Sequence, residues 1–252
     1  MEFKIEEGKT KDDIKLIVDE KLNKLYGEAP ERELIGFERL GSYKGIIRED
    51  TLIDNGDVYY YIKDRDYLYE FVYYIYKNNI TNIDSILKLV YKYIRYYFGD
   101  SGSEELRGQI LNQDIENGYN DISILRNKNA AMCAEKAAMA QNIFSFFDID
   151  SWYVVGDVYS NQGSGPHAFN IVNYKDNYYI YDSTRTVPVY VDNKIVDYQY
   201  YINQIELNTD NFEYTLADYY YEKHDNQFKR VRNGKVIYNT YNFMKNINER
   251  KI

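Results

Sequence analysis

The chain has 252 residues, a formal net charge of −9 and no basic run, which argues against a nucleic-acid partner or an anionic membrane surface. Its single cysteine, Cys133, excludes an intramolecular disulfide and a multi-cysteine zinc framework. No stretch approaches the roughly 20 apolar residues of a membrane span. The opening MEFKIEEGKTKDD lacks the apolar region of a secretory leader. A reducing, cytoplasmic setting without integral membrane contact is therefore expected, and export without a cleaved leader is compatible with it. Tyrosine is over-represented at 31 residues beside only 3 prolines, as AT-rich coding would produce. Each ring keeps a polar end, so many should be half-buried.

In chain order, Thr10 to about Tyr26 reads as an amphipathic helix. Thr10 caps it, Asp12 and Asp13 sit in its first turn, and Ile14, Leu16, Ile17, Val18, Leu22 and Leu25 form its apolar stripe. Pro30 and the Gly36, Gly41 and Gly45 region read as irregular with short strands, and Asn55-Gly56 is a turn signal. Residues 66–78 and 82–98 read as helices, the second capped by Asn82 or Thr81. GDSGSEEL at 99–106 is a break, with a new helical turn starting at Ser103. The polar stretch 107–129 predicts a loop near the site. CAEKAAMAQNIFSFF from Cys133 is a strong helix former whose alanines allow close approach to a sheet. Strands follow at 152–158, 167–174, 177–182 and 187–191, then a hairpin near Asn233-Gly234. Helices followed by a strand meander predict an α+β fold with an antiparallel sheet. The predicted organisation is a helical and irregular extension over 1–79 and a core over 80–252 ending in a β-hairpin region. The extension either covers the cleft or enlarges the core.

A thiol nucleophile needs something to lower its pKa from about 8.5. A helix N-terminus does so through unpaired N–H groups, and a neighbouring imidazole completes a thiolate–imidazolium pair. Cys133 lies at the predicted first turn of a helix. There are two histidines. His224 sits in a charged, solvated neighbourhood, whereas His167 opens an apolar strand after the Gly/Ser-rich loop 160–166. Strand alternation puts His167, Phe169 and Ile171 on one face. A two-residue turn at Lys175-Asp176 pairs Tyr174 with Asn177 and brings Asp182 diagonally beside His167. A three-residue turn would send Asp182 to the opposite face. Singly, each residue has a plainer reading: a buried cysteine, a structural histidine, a turn aspartate. Their order along the chain is what points to chemistry.

The stretches NAAMCAEKAAMAQNIFSFFDIDSWYVVG and GPHAFNIVNYKDNYYIYDST resemble the transglutaminase-like superfamily of papain-fold thiol enzymes, in a bacterial-type form, over roughly residues 80–190. Cys133 matches that family's nucleophile, His167 in its HAW-like motif the general base, and Asp182 in its DPT-like motif the orienting acid. Met132 stands where glycine is frequent, Phe169 replaces the usual Trp and Ser183 the usual Pro. The resemblance implies a papain-like core with the cysteine helix packed on an antiparallel sheet. It implies no organic cofactor. No calcium ligands with EF-hand spacing are present, so no metal is expected.

Acyl transfer also needs oxyanion donors. The Cys133 backbone N–H is the first candidate. Gln109, Gln113 and Tyr97 are candidates for the second, with Asn112, Asn129 and Tyr96 behind them. Trp152 reads as core, and 159–166 as a lid or a surface loop. Walker, GxGxxG and HExxH motifs are absent. The expected activity is cleavage of a peptide or amide bond in a protein or peptide substrate through a Cys133 acyl-thioester. Transfer to an amine and a non-catalytic binding module are the alternatives. A tyrosine-rich carbohydrate surface is disfavoured by the spread of the rings along the chain. Oligomeric state is left open.

Overall fold

Thr10 and Asp13 close the first helix on each other. Thr10 Oγ1 accepts from the Asp13 N–H at 3.2 Å, and Asp13 Oδ2 accepts from the Thr10 N–H at 2.8 Å. This satisfies donors that a helix start leaves without partners. Helix α1 (Lys11–Glu28) buries Ile14, Val18 and Leu22 at four-residue spacing, while Leu16, placed in the apolar stripe above, is 64% exposed. The computed structural model describes residues 8–28, 43–51, 53–55, 58–100, 102–112, 120–160, 163–174, 177–191, 194–204, 212–216, 219–224 and 227–232. The expectations for Pro30, Gly36 and Gly41, for Gln113 and for the Asn233-Gly234 hairpin fall outside these residues.

Strands β1 (Tyr43–Lys44), β2 (Ile53–Asn55) and β3 (Val58–Tyr61) follow, with β2 and β3 antiparallel and Asn55 facing Val58; Gly56 of the expected turn lies outside the described residues. Helices α2 (Asp66–Lys77) and α3 (Ile83–Phe98) match their predicted spans. Asn82 caps α3 by accepting from the Ser85 N–H at 2.8 Å. The stretch expected to be a loop over 107–129 is instead partly helical. Helix α4 (Glu104–Asn112) runs into it, and β4 (Asn120–Asp121) and a 3-10 turn at Ile122–Leu125 follow. The helical turn expected from Ser103 is therefore the start of α4; weak apolar periodicity hid its continuation past 106, where Arg107 is buried.

Helix α5 (Cys133–Phe146) is buried along nearly its whole length. Its polar residues serve as ties to neighbouring segments. Gln141 Nε2 donates to the carbonyls of Gly45 (2.8 Å) and Ser151 (3.1 Å), and Gln141 Oε1 accepts from Asn170 at 3.2 Å. Asn142 exchanges two hydrogen bonds with the Ile47 backbone. One hydrophobic core joins Ile14 and Val18 of α1, Phe71 of α2, Val90 and Ile94 of α3, and Ala138 and Phe144 of α5. Residues before 80 and after 80 therefore share it.

The main sheet is antiparallel, in the order β1-β5-β6-β7-β8, with β9 (Phe212–Leu216) also on β5. Its strands are β5 (Ser151–Ser160), β6 (Gly163–Tyr174), β7 (Asn177–Val191) and β8 (Lys194–Gln204). Of the segment read as a lid or a surface loop at 159–166, residues 159–160 and 163–166 are strand residues of β5 and β6, paired up to Ser160–Gly163. β9 pairs with β5 over Gly156–Ser160, so this end of β5 has ladder partners on both edges. The two strands expected at 177–182 and 187–191 are one strand, β7, with a register shift against β8 between Asp182 and Thr186. His224 ends β10 (Tyr219–His224), which pairs only with β11 (Gln227–Arg232) among the described strands. The fold is α+β: helices packed against an antiparallel sheet. No helix among the described residues is long and apolar enough to cross a membrane.

Candidate thiol site

Cys133 is the first residue of α5, where a helix leaves its N–H groups without intrahelical acceptors. The turn is held from below by Glu135. This residue is fully buried, and its Oε2 accepts from the Met132 N–H at 2.7 Å. Arg107 Nη1 stands 3.9 Å from Glu135 Oε1 and balances that charge. The Cys133 N–H thus lies at a fixed helix start beside its own thiol, the position an oxyanion donor requires.

The turn between β6 and β7 has two residues, with Tyr174 facing Asn177. Counting back through the ladder puts Asp182 on the face of His167, and the two side chains meet. His167 Nε2 lies 2.7 Å from Asp182 Oδ2. The imidazole also stacks on Phe169, with centroids 6.2 Å apart and planes at 18°. With Nε2 engaged, Nδ1 is the nitrogen left for Cys133, which hydrogen-bonds to His167.

The β6–β7 ladder ends at Asn170–Tyr181, and past it the strands part at the irregularity in β7. Ala168 lies beyond the end of that ladder, and its backbone N–H reaches the Cys133 thiol. Where β7 departs, Thr184 folds back on Asp182. Its N–H and its hydroxyl both donate to Oδ1, at 2.9 and 2.6 Å. Asp182 is fully buried, so this turn and His167 account for both carboxylate oxygens.

The electrostatics follow from these contacts. Burial alone would push the Cys133 thiol up. The hydrogen bond and charge of His167 and the Ala168 N–H outweigh it, and the thiol lies below its ordinary value. Burial likewise opposes charge on His167, but Asp182 first and Cys133 second push its pKa up to about 10. Asp182 is held well below the usual carboxylate range, against its burial, by His167 and by Thr184. The three groups favour a thiolate, an imidazolium and a carboxylate together.

Of the second-donor candidates, Gln109 is exposed on α4, with Nε2 donating to Glu105 at 3.3 Å. Tyr97 is fully buried in an aromatic cluster with Tyr67, Tyr93 and Phe98, its ring under Arg126. Neither placement joins the contacts that hold Cys133, His167 and Asp182. Trp152 is buried, as expected of a core residue. Sequence reasoning overlooked Thr184 and Glu135. Asp-x-Thr is a recognisable side-chain turn pattern, so Thr184 had a signal. Glu135, three residues after the N-cap position, had the signal of a helix-start acceptor. The Ala168 N–H had none. No family model matches the chain, and no curated protein matches it.

Proposed function

We propose that this protein is a thiol enzyme that cleaves a peptide or amide bond through an acyl-thioester on Cys133, on a papain-like core of the transglutaminase-like kind. One observation carries the reading: His167, paired at 2.7 Å with the fully buried Asp182, meets the thiol of the only cysteine at the first residue of a buried helix. A structural cysteine requires none of these polar groups, and burying them without a use is costly.

In this reading Cys133 Sγ attacks the carbonyl carbon and the carbonyl oxygen takes the negative charge, facing the Cys133 N–H. Collapse of the adduct breaks the C–N bond. The proton on His167 Nδ1 goes to the leaving amine. His167, now neutral, takes a proton from water as the water attacks the thioester, and the acid leaves with the thiolate restored. Asp182 keeps the imidazole oriented throughout. A primary amine in place of water would give a new amide instead of an acid.

The test is the pH dependence of Cys133 alkylation by iodoacetamide, in wild type and in His167→Ala. A single cysteine makes the readout unambiguous. Fast labelling well below pH 8 that collapses in the variant is the expected result. A free-thiol midpoint, about 8.5, unmoved by the substitution would overturn the reading. Peptide panels with and without an added amine then separate hydrolysis from transfer.

A further inference from the structure

Two concavities flank α3, and both are built from tyrosines and basic residues. The first, about 800 Å³, lies where α1, α2 and α3 meet and is walled by Tyr69, Tyr73, Tyr74, Tyr93 and Tyr96. That volume falls in the range of ligand clefts, about 300–1,000 Å³. The second, about 570 Å³, is bounded by Tyr91, Arg95, Gly99, Asp100 and Asn129. Lys92 and Tyr96 line both, so they form a shared ridge between the two. Tyr96 is 67% exposed and Tyr74 50% exposed, so two rings of this surface are open to a partner.

The charge of this surface runs against that of the chain. Lys11, Lys15, Lys77 and Lys92 line the first concavity, on a protein of net charge −9. Lys11 and Lys77 stand over the Tyr73 ring at 5.3 and 5.6 Å, and Lys15 over Tyr69 at 5.7 Å. The carboxylates present are Asp66 and Glu70, and Glu70 is held by Arg126 at 2.8 Å to each oxygen. In the second concavity Arg95 pairs with Asp100 at 2.8 Å. The second concavity extends to the segment that leads into α5. Asn129 lies four residues before Cys133 and is tied by its N–H to the Phe98 carbonyl at 2.9 Å. Lys136, in the first turn of α5, is close enough to Arg95, Asp100 and Cys133 for all three charges to act on it.

We propose that this double groove docks an acidic segment of the polypeptide substrate, bearing aromatic or aliphatic side chains, laid across the Lys92–Tyr96 ridge with one end toward Cys133. The proposal deepens the thiol-enzyme reading and rests on it. Aromatic walls bind apolar side chains, exposed lysines attract carboxylates, and an aromatic ridge at the centre has the character of a binding hot spot. A single-stranded nucleic acid also seeks aromatic and basic grooves. The chain carries −9 overall and has no basic run, which disfavours a nucleic acid, and Asp66 of the lining can accept a peptide N–H group.

The experiment uses the full chain with Cys133→Ala, so that binding is read without turnover. Fluorescence anisotropy follows three labelled probes: a 12-residue peptide of Asp, Glu, Tyr and Leu; the same peptide with Lys for each acid; and an oligothymidylate. The acidic peptide saturates, and the basic one does not. Lys77→Glu with Lys92→Glu weakens binding about tenfold or more, since charge complementarity is reversed. Tyr96→Ala weakens it about fivefold, and 300 mM salt weakens it further than 50 mM through screening. Both lysines and Tyr96 are exposed, so the variants should melt within about 2 °C of the parent. Equal binding of both peptides, indifference to the lysine reversals, or preferential binding of the oligonucleotide overturns the proposal. Alkylation of Cys133 in the wild type is measured without peptide, so failure of docking and failure of the thiol reading give different results.

Discussion

Replacing Asp182 with asparagine keeps the shape of a fully buried side chain and removes the charge that faces His167. Oδ1 of Asp182 accepts from both the N–H and the hydroxyl of Thr184, and Oδ2 faces His167 Nε2 at 2.7 Å. Two donors on the first atom require that it remain the oxygen in the variant. The amide nitrogen then faces Nε2 and donates to it. Nε2 must be unprotonated, so the imidazole proton sits on Nδ1, toward the thiol, and the base is blocked. Charge acts in the same direction. Breaking one side of a buried pair costs about 3–5 kcal/mol, and each pH unit of imidazole titration is about 1.36 kcal/mol. The imidazolium should lose at least about two units of stabilisation, and the thiolate loses its counter-ion with it. Alkylation rates by iodoacetamide across pH 4–10 read this directly. The acid midpoint should climb toward the free-thiol value of about 8.5, and labelling at pH 6 should slow by roughly 100-fold, two decades for two units. A wrong-tautomer variant of a related triad loses about 10⁴ in kcat, and peptide cleavage here should fall comparably. A midpoint within about half a unit of wild type, with the rate at pH 6 unchanged, would refute the claim that Asp182 sustains the pair.

Stability should follow the same pair. His167, raised from 6.5 to about 10 by folding, stabilises the fold fully below pH 6.5 and loses that contribution as pH rises through about 10. Asp182, lowered by folding, stabilises above its ordinary 3.8 and loses the contribution as pH falls through its native value. Thermal melts should therefore show a maximum between these ordinary values and an alkaline decline that is flatter in His167→Ala; a decline equally steep in the variant would contradict the assignment. Gln141→Leu removes the bonds from α5 to the Gly45 and Ser151 carbonyls and should cost about 1–3 kcal/mol in urea unfolding, with the alkylation midpoint unmoved. A moved midpoint would mean that this network also tunes the thiol. Gly102→Ala places a methyl 2.5 Å from the Ala131 carbonyl and 3.0 Å from Met132 Sδ, forcing the segment that delivers Cys133 to shift. Its alkylation should slow about tenfold, with about 1–3 kcal/mol lost to overpacking; unchanged kinetics would show that the segment yields elsewhere.

Local features of the candidate site were legible because short-range rules decide them. Helix α5 begins at Cys133 because AEKAAMAQ favours helix and Glu135 supplies an acceptor for its start. Asp182 reaches His167 because the β6–β7 turn has two residues and side chains alternate along strands, which is a matter of parity. Helices α2 and α3 stood out through their apolar stripes. Helix α4 was legible only at its start near Ser103, because Arg107, buried farther along it, carries a charge that is tolerable there beside Glu135, 28 residues onward.

What sequence alone determined is the order and type of most elements and the relation of His167 to Asp182. Each depends on neighbours a few residues apart. Tertiary structure decided the rest: that 159–160 and 163–166, read as a lid or a surface loop, are paired strand residues of β5 and β6. It also decided that the thiol meets the Ala168 N–H, because β6 and β7 part beyond Asn170 and Tyr181. Pairings between distant segments depend on which edges and carbonyls remain unsatisfied after the chain has packed, and no local pattern carries that information.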